Sequence, residues 1–380
     1  MEVYFDNAAT TPMRAEVISA MHEVMQTAYG NPSSTHGFGR AAKALLENAR
    51  KSIAAHFNAS AQEIIFTSGG TESDNMILRC AVKDLGVTTI ISSPLEHHAI
   101  LHALDQLEAE GVTVHYVDHD ADGELNYEHL ENLLAQDTTK KLVTLMYVNN
   151  EIGNLLDVGR VGALCKEHSA LFHSDTVQSV GHFKMDMQEL TMDFFSAAAH
   201  KFHGPKGVGF SFVRKQTQIK PFILGGAQER GLRAGTESVH NVVGMQKALD
   251  IAYAQLEEER SHILQLKSRF IAELKALFPD VQFNGKCSNM DASTYTVVNV
   301  GLPVPEDKVG LLDFHLDLKG VACSKGSACQ SGSGKGSHVI GALQQKGSSD
   351  LPALRFSFSG FNTEAEVAYV MEVLREFKER

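Results

Sequence analysis

The chain has 380 residues, 43% of them apolar and 21% charged, with a formal net charge of −12. That balance belongs to a globular protein of roughly two domains, and the acidic excess argues against a nucleic-acid partner, which calls for a basic footprint. No stretch approaches the ~20 apolar residues of a membrane helix, and Met1-Glu2-Val3-Tyr4-Phe5-Asp6 lacks the basic and apolar regions of a secretory signal. The five cysteines, Cys80, Cys165, Cys287, Cys323 and Cys329, are odd in number and irregularly spaced, which fits a reducing compartment such as the cytoplasm.

Residues 15–25 place Val17, Ala20, Met21, Val24 and Met25 on one helical face, and 41–57 do the same with Leu45, Leu46, Ala49 and Ile53. From Glu63 to Val213, short apolar runs alternate with helical patterns. The runs 64–66, 89–92, 112–117, 142–148, 171–174, 194–197 and 208–213 are rich in Val, Ile and Phe, as buried strands are. They predict an α/β fold with a seven-stranded, mainly parallel sheet, whose carboxyl edge binds ligands. Residues 245–278 read as one long helix stopped by Pro279. Beyond it the runs 296–300, 320–323 and 354–358 alternate with helices. The last helix begins at Thr363, where Glu366 completes a capping box. The expectation is a large α/β domain, 15–256, followed by a smaller α+β domain, 257–380.

Five motifs point to chemistry. In Thr67-Ser68-Gly69-Gly70-Thr71-Glu72-Ser73-Asp74-Asn75 a strand ends, two glycines turn and a helix starts; its free N–H groups make a phosphate cup. Leu171-Phe172-His173-Ser174-Asp175 delivers a carboxylate to the sheet's carboxyl edge, either as a helix cap or as partner to a protonated ring nitrogen. Phe194-Phe195-Ser196-Ala197-Ala198-Ala199-His200-Lys201 ends a buried strand in a lysine, and an apolar setting suits a Schiff-base amine. Lys206, among turn glycines, is the exposed rival. Cys329 lies in a stretch of small residues with Lys325 and Lys335 nearby, a setting that uses a thiol rather than packs it. Glu96-His97-His98 follows a strand; a histidine there can stack on a planar cofactor or move a proton, or be an ordinary surface residue. The histidine pairs 97/98 and 200/203 lack further ligands for a metal, so no metal is expected.

Together these motifs resemble the cysteine desulfurases of the NifS-like kind within the class V aminotransferases. The similarity runs from Tyr4-Phe5-Asp6-Asn7-Ala8-Ala9-Thr10-Thr11-Pro12 to Arg355-Phe356-Ser357. It includes Val148-Asn149-Asn150-Glu151-Ile152-Gly153, Gly204-Pro205-Lys206-Gly207 and Gly326-Ser327-Ala328-Cys329. The resemblance implies the fold of the type I pyridoxal-phosphate (PLP) enzymes, with residues 1–14 returning to join the smaller domain. It implies Lys201 as the Schiff-base lysine, Asp175 on the pyridinium nitrogen, Gln178 on the phenolic oxygen and His97 stacked on the ring. Gly70, Thr71 and His200 would hold the phosphate, with Thr236 reaching in from a second subunit of a homodimer. Asn150 and Arg355 would grip the carboxylate of L-cysteine, with Asn7 near the substrate, and Cys329 would take the sulfur as a persulfide for a protein acceptor. Ala198-Ala199 replaces the Ser-Gly pair frequent in relatives, whose serine binds phosphate, which implies either a weaker phosphate grip or compensation by Ser196, and Gly360 stands where many relatives have arginine. The chain stops at Arg380 without the tail that in some relatives docks an iron–sulfur scaffold. Two other readings share Lys201 and Asp175: a different class V enzyme (transaminase, lyase or selenocysteine lyase), or a catalytically weak scaffold in a sulfur-delivery complex.

Overall fold

A computed structural model describes residues 1–305, 308–325 and 336–379. The chain starts with a short strand, β1 (Val3–Tyr4), and two helices, α1 (Ala15–Thr27) and α2 (Gly37–His56). Then come β2 (Ile64–Thr67), α3 (Gly70–Lys83), β3 (Thr89–Ser92), α4 (His98–Ala109), β4 (Thr113–Tyr116), α5 (Tyr127–Ala135) and β5 (Lys141–Thr144). They are followed by α6 (Val158–Glu167), β6 (Leu171–Asp175), β7 (Phe194–Ala198), β8 (Gly209–Val213), α7 (Val239–Ala254) and α8 (Leu256–Leu277). The remainder is β9 (Gln282–Phe283), β10 (Val297–Gly301), α9 (Val309–Leu318), β11 (Val321–Ala322), α10 (His338–Gln345), β12 (Ala353–Ser357) and α11 (Glu364–Glu379).

Strands β2 to β8 form the expected seven-stranded sheet, in the order β2-β8-β7-β6-β5-β3-β4. Neighbours from β7 to β4 run parallel, while β8 is antiparallel to both β7 and β2. The reversal has a local cause: only residues 199–208 join β7 to β8, too short for the helical crossover a parallel neighbour requires. Strands β2, β3, β5, β7 and β8 are buried along their whole length, hence the apolar residues on both faces, interrupted by buried hydroxyls such as Ser196 and Ser211. Edge strand β4 is shorter than the run 112–117 and partly exposed. The run 142–148 leaves the sheet after Thr144 and continues as buried chain into the site.

Helices cover both faces of the sheet. Val17, Leu46, Ile53, Phe57 and Met245 pack on one face with Phe172, Phe195 and Phe210. Met76, Ile77, Ile100 and Leu104 pack on the other with Ile65, Ile90 and Phe194. A separate core joins α8 and α11 to the antiparallel sheet β12-β10-β9 through Phe270, Leu274, Val298, Phe356 and Leu374. Val3 and Phe5 belong to this second core, and β1 pairs parallel with β11.

The long helix expected over 245–278 is two helices, α7 starting earlier and α8 beginning after Gln255. Gln255 adopts φ −104°, ψ 8° and terminates both. No glycine or proline marks the break. Arg14 does: its Nη1 donates to Gln255 Oε1 at 3.2 Å and its Nη2 pairs with Glu259. The capping box at α11 forms as expected, with the Thr363 N–H donating to Glu366 Oε2 at 2.6 Å and the Glu366 N–H to Thr363 Oγ1 at 3.3 Å.

Candidate active site

The carboxyl ends of β2, β6 and β7, the turn before α4, the chain after β5 and the 8–9 segment converge on one cavity of about 200 Å³. At its β2 end, Gly70 and Thr71 open α3, whose first N–H groups have no intrahelical acceptor. Gly69 sits at φ +151°, a conformation that favours glycine. Gly70 is glycine for space: a Cβ there would lie 2.6 Å from Val177 Cγ2. His200 completes this end of the wall, its Nδ1 3.2 Å from Thr10 Oγ1. Burial, with Lys201 and Lys206 nearby, holds the His200 imidazole down at about 4. Neutral donors around a helix N-terminus suit a phosphate.

Asp175 ends β6 inside the cavity, its Oδ1 accepting from the Val177 N–H at 2.9 Å. Burial pushes its carboxyl up, against the pull of that bond and of Lys201. A second carboxyl, Asp74 on α3, also lines the cavity and was not singled out from the sequence. Burial, and then the Asp175 charge, push the Asp74 carboxyl well above the usual carboxylate range. Behind Asp74 runs a buried chain. The Ser196 hydroxyl bonds Asp74 Oδ1, His173 Nε2 lies 3.0 Å from Ser196 Oγ, and His173 Nδ1 lies 2.9 Å from Thr144 Oγ1. Ser196 is therefore committed beneath the cavity, which corrects the expectation that it compensates for Ala198-Ala199; Ala198 itself lines the wall.

Lys201 follows β7, and its Nζ donates to the carbonyls of Ala8 at 2.6 Å and Ala9 at 2.9 Å. Gln178 Nε2 donates to the same Ala8 carbonyl at 2.9 Å. His97 caps α4, its Nδ1 accepting from the Ala99 N–H at 3.1 Å. Burial, then Lys201, holds the His97 ring down at about 4, so it is neutral at physiological pH. Asn150 and Arg355 close the remaining wall. Arg355 is 1% exposed. Its Nη1 donates to the Asn150 carbonyl and its Nη2 to Asp6 Oδ1, both at 2.8 Å, while its buried Nε has no partner. The rival Lys206 is exposed and lines only an outer recess.

Two expected residues stand apart from the cavity lining. Asn7 does not line the cavity: its buried amide donates to Ser357 O at 2.9 Å and Asn362 Oδ1 at 3.1 Å, behind the wall made by Ala8 and Ala9. Thr236 is exposed on the chain between β8 and α7 and does not line the cavity of its own chain. Cys329 and Lys335 lie outside the described residues; Lys325 pairs with Asp313. Cys80, Cys165 and Cys287 are buried, and burial pushes the Cys287 thiol up to about 11. Cys323 is partly buried against the second core, its thiol pushed up by burial to about 12.

The aminotransferase class-V family pattern matches residues 3–370. The chain belongs to that family. Among its class-V relatives, the cysteine desulfurase IscS of Dictyoglomus turgidum is 40% identical, over 100% of this chain and 95% of its own length. That of Methanosarcina thermophila is also 40% identical, over 100% and 92%. Of the solved structures, a NifS-like protein is 35% identical with a TM-score of 0.91, covering 100% of both chains. A NifS-like protein from Rickettsia africae is 30% identical with a TM-score of 0.87, again over 100% of both. A structure described as SspA in complex with cysteine is 30% identical with a TM-score of 0.80, over 95% of this chain and 100% of that one. Class-V aminotransferases and cysteine desulfurases are PLP-dependent families. Among the described residues no helix is long and apolar enough to cross a membrane.

Proposed function

We propose that the chain is a PLP-dependent cysteine desulfurase that converts L-cysteine to L-alanine and takes the sulfur onto Cys329 as a persulfide. One observation carries this: a lysine amine, a buried carboxylate, a glycine-lined helix N-terminus, a neutral histidine and an arginine with an unpartnered Nε all face a single cavity. The residues fit the cofactor. Gly70, Thr71 and His200 would hold its phosphate, Asp175 and Gln178 its ring nitrogen and phenolic oxygen, and Lys201 its aldehyde carbon. When bound, PLP supplies an electron sink for the substrate's Cα.

The other steps belong to the protein. Arg355 Nε and Asn150 orient the substrate carboxylate, which a rigid guanidinium fork does better than a point charge. Lys201 Nζ, once free as an amine, accepts the Cα proton. His97, neutral at working pH, packs the ring face and relays a proton from its Nε2. The Cys329 thiolate attacks the substrate sulfur: an S–S bond forms, the Cβ–S bond breaks with its electron pair left to Cβ, Cβ takes a proton and Cα regains the one held by Lys201, and the products are L-alanine and a Cys329 persulfide. A protein thiol or scaffold then accepts the sulfur.

We further propose a homodimer in which the partner subunit's Thr236 completes the phosphate end. Supporting this, an outer recess beside Gly70, Thr71 and His200 opens to the surface, and Ile18, Met25, Tyr29, Phe38 and Leu224 are exposed apolar side chains. The two-core arrangement supports reading 15–256 as the cofactor domain and 257–380 with 1–14 as the second. The test is sulfide and alanine release from L-cysteine with a thiol reductant, with the cofactor absorbance recorded alongside. Stoichiometric products that disappear in Cys329→Ala, with the absorbance retained, are expected. A cofactor band without sulfide in the wild type would refute the desulfurase.

A further inference from the structure

α10 backs the cavity wall. Its Val339, Ile340 and Leu343 pack on Leu95 and Ile152, neither of which lines the cavity. Leu95 leads into Glu96-His97, and Ile152 follows Asn150-Glu151. Asn149 ties these two segments to each other: its Nδ2 donates to Leu95 O at 2.9 Å, and its Oδ1 accepts from the N–H groups of Glu151 at 2.9 Å and Ile152 at 3.0 Å. One short helix is thus seated on the pieces of chain that carry the ring-facing histidine and the carboxylate-facing asparagine.

The first turn of α10 adds polar bonds to both pieces. Ser337 Oγ caps the helix, accepting from the Ile340 N–H at 3.1 Å, and donates to Glu151 Oε2. His338 Nε2 lies 2.8 Å from the Glu96 carbonyl oxygen. A carbonyl only accepts, so Nε2 bears the hydrogen and Nδ1 of the neutral ring keeps its lone pair. That Nδ1 is buried without a partner, and so is Oε1 of the fully buried Glu151, 4.0 Å away. Burial raises the Glu151 pKa, which favours a carboxyl O–H, and Oε1 is the oxygen free to carry it. A donor and an acceptor, each costly to leave unmade, face each other across a gap of about one ångström beyond bonding distance.

We infer that His338, with Ser337 and Glu151, is a positioning device for the reaction: it holds His97 and Asn150 at the spacing that cofactor and substrate require, and closure of the His338–Glu151 gap locks that spacing. The inference rests on the PLP desulfurase reading of the cavity. A misplacement of about 1 Å at reacting groups is worth up to ~100-fold in rate, so the effect is measurable.

The experiment uses purified holoenzyme. His338→Phe keeps a planar ring and loses both nitrogens; His338→Gln restores a donor at the reach of Nε2. In His338→Phe, cofactor absorbance and Tm should stay near wild type, the visible circular dichroism of the bound cofactor should change, and kcat should fall by about tenfold or more. His338→Gln should recover the dichroism and most of kcat. Ser337→Gly, which keeps an acceptable N-cap at a cost of a few tenths of a kcal/mol, should shift the dichroism in the same direction, and it serves if His338→Phe does not fold. Wild-type dichroism and kcat in both Phe and Gly variants, or a fall in Tm with neither changed, would overturn the inference and leave the desulfurase intact. A wild-type protein that neither binds PLP nor releases sulfide would bring down both.

Discussion

Arg355→Lys tests the substrate grip most directly. Arg355 sits mid-strand in β12, with its backbone bonded both ways to Ser324 (2.7 and 3.1 Å), so the backbone does not depend on the side chain. The guanidinium makes two bonds at 2.8 Å, to Asn150 O and Asp6 Oδ1, and keeps Nε for a ligand. Lysine preserves the charge but offers one compact ammonium that cannot serve all three directions in a plane. The loss of one charge-assisted hydrogen bond is worth about 1.5–3 kcal/mol, which converts to roughly 10- to 150-fold in affinity. The carboxylate does not react and is held equally before and during the chemistry, so the loss should appear in KM, with kcat changed by less than about threefold. Alanine formation measured against L-cysteine concentration, with cofactor content checked by absorbance, separates the two constants. A KM within about threefold of wild type would refute the assignment, as would a fall confined to kcat.

Three further outcomes follow from the geometry. Gly70→Ala forces a methyl against Val177; an overpacking cost of about 1–3 kcal/mol should weaken PLP binding to the apoprotein by tenfold or more, read by absorbance titration. Ser196→Ala strips the shared partner from Asp74 and His173, both essentially unexposed. At about 1–3 kcal/mol per orphaned group, the urea midpoint should fall while the slope stays constant. Acid should destabilise the fold well above the carboxylate range. His97, His200 and His203 are held near 4, each mainly by burial, so the unfolded chain binds more protons than the native one between about pH 6.5 and 4. Stability from these groups is full above 6.5 and lost as pH falls toward 4, of order 1–2 kcal/mol each by pH 5. The raised carboxyls of Asp74, Asp175 and Glu151 act in the opposite sense, so the check is the difference in Tm between wild type and His203→Gln, which should shrink from pH 7 to 5; a difference independent of pH would contradict this.

Much of the fold was legible because most of the sheet is buried on both faces, so β2, β3, β6 and β7 announce themselves as apolar runs. The α7–α8 break was not, because the apolar pattern continues through Gln255 and the residue that bonds there, Arg14, is far away in sequence. In the site, Lys201, Asp175 and the Gly69-Gly70 turn could be found because each closes a recognisable strand. Asp74 and Glu151 could not, since their importance lies in burial and in each other's neighbours, which a linear pattern does not encode. Asn7 sits one residue from the cavity wall, and only the path of the chain shows that it faces Ser357 rather than the ligand.

Arg14 has one more consequence. The chain passes from one core to the other twice, between Phe5 and Val17 and again between Ala252 and Ile263. At the second crossing Arg14 grips Gln255 and Glu259 and lies over the Phe361 ring at 5.1 Å. One arginine thus ties both crossings to each other and to the turn before α11. Arg355 stands on a strand of the second core and Lys201 just after a strand of the first, so any shift of one core against the other would change the distance between that guanidinium and that amine.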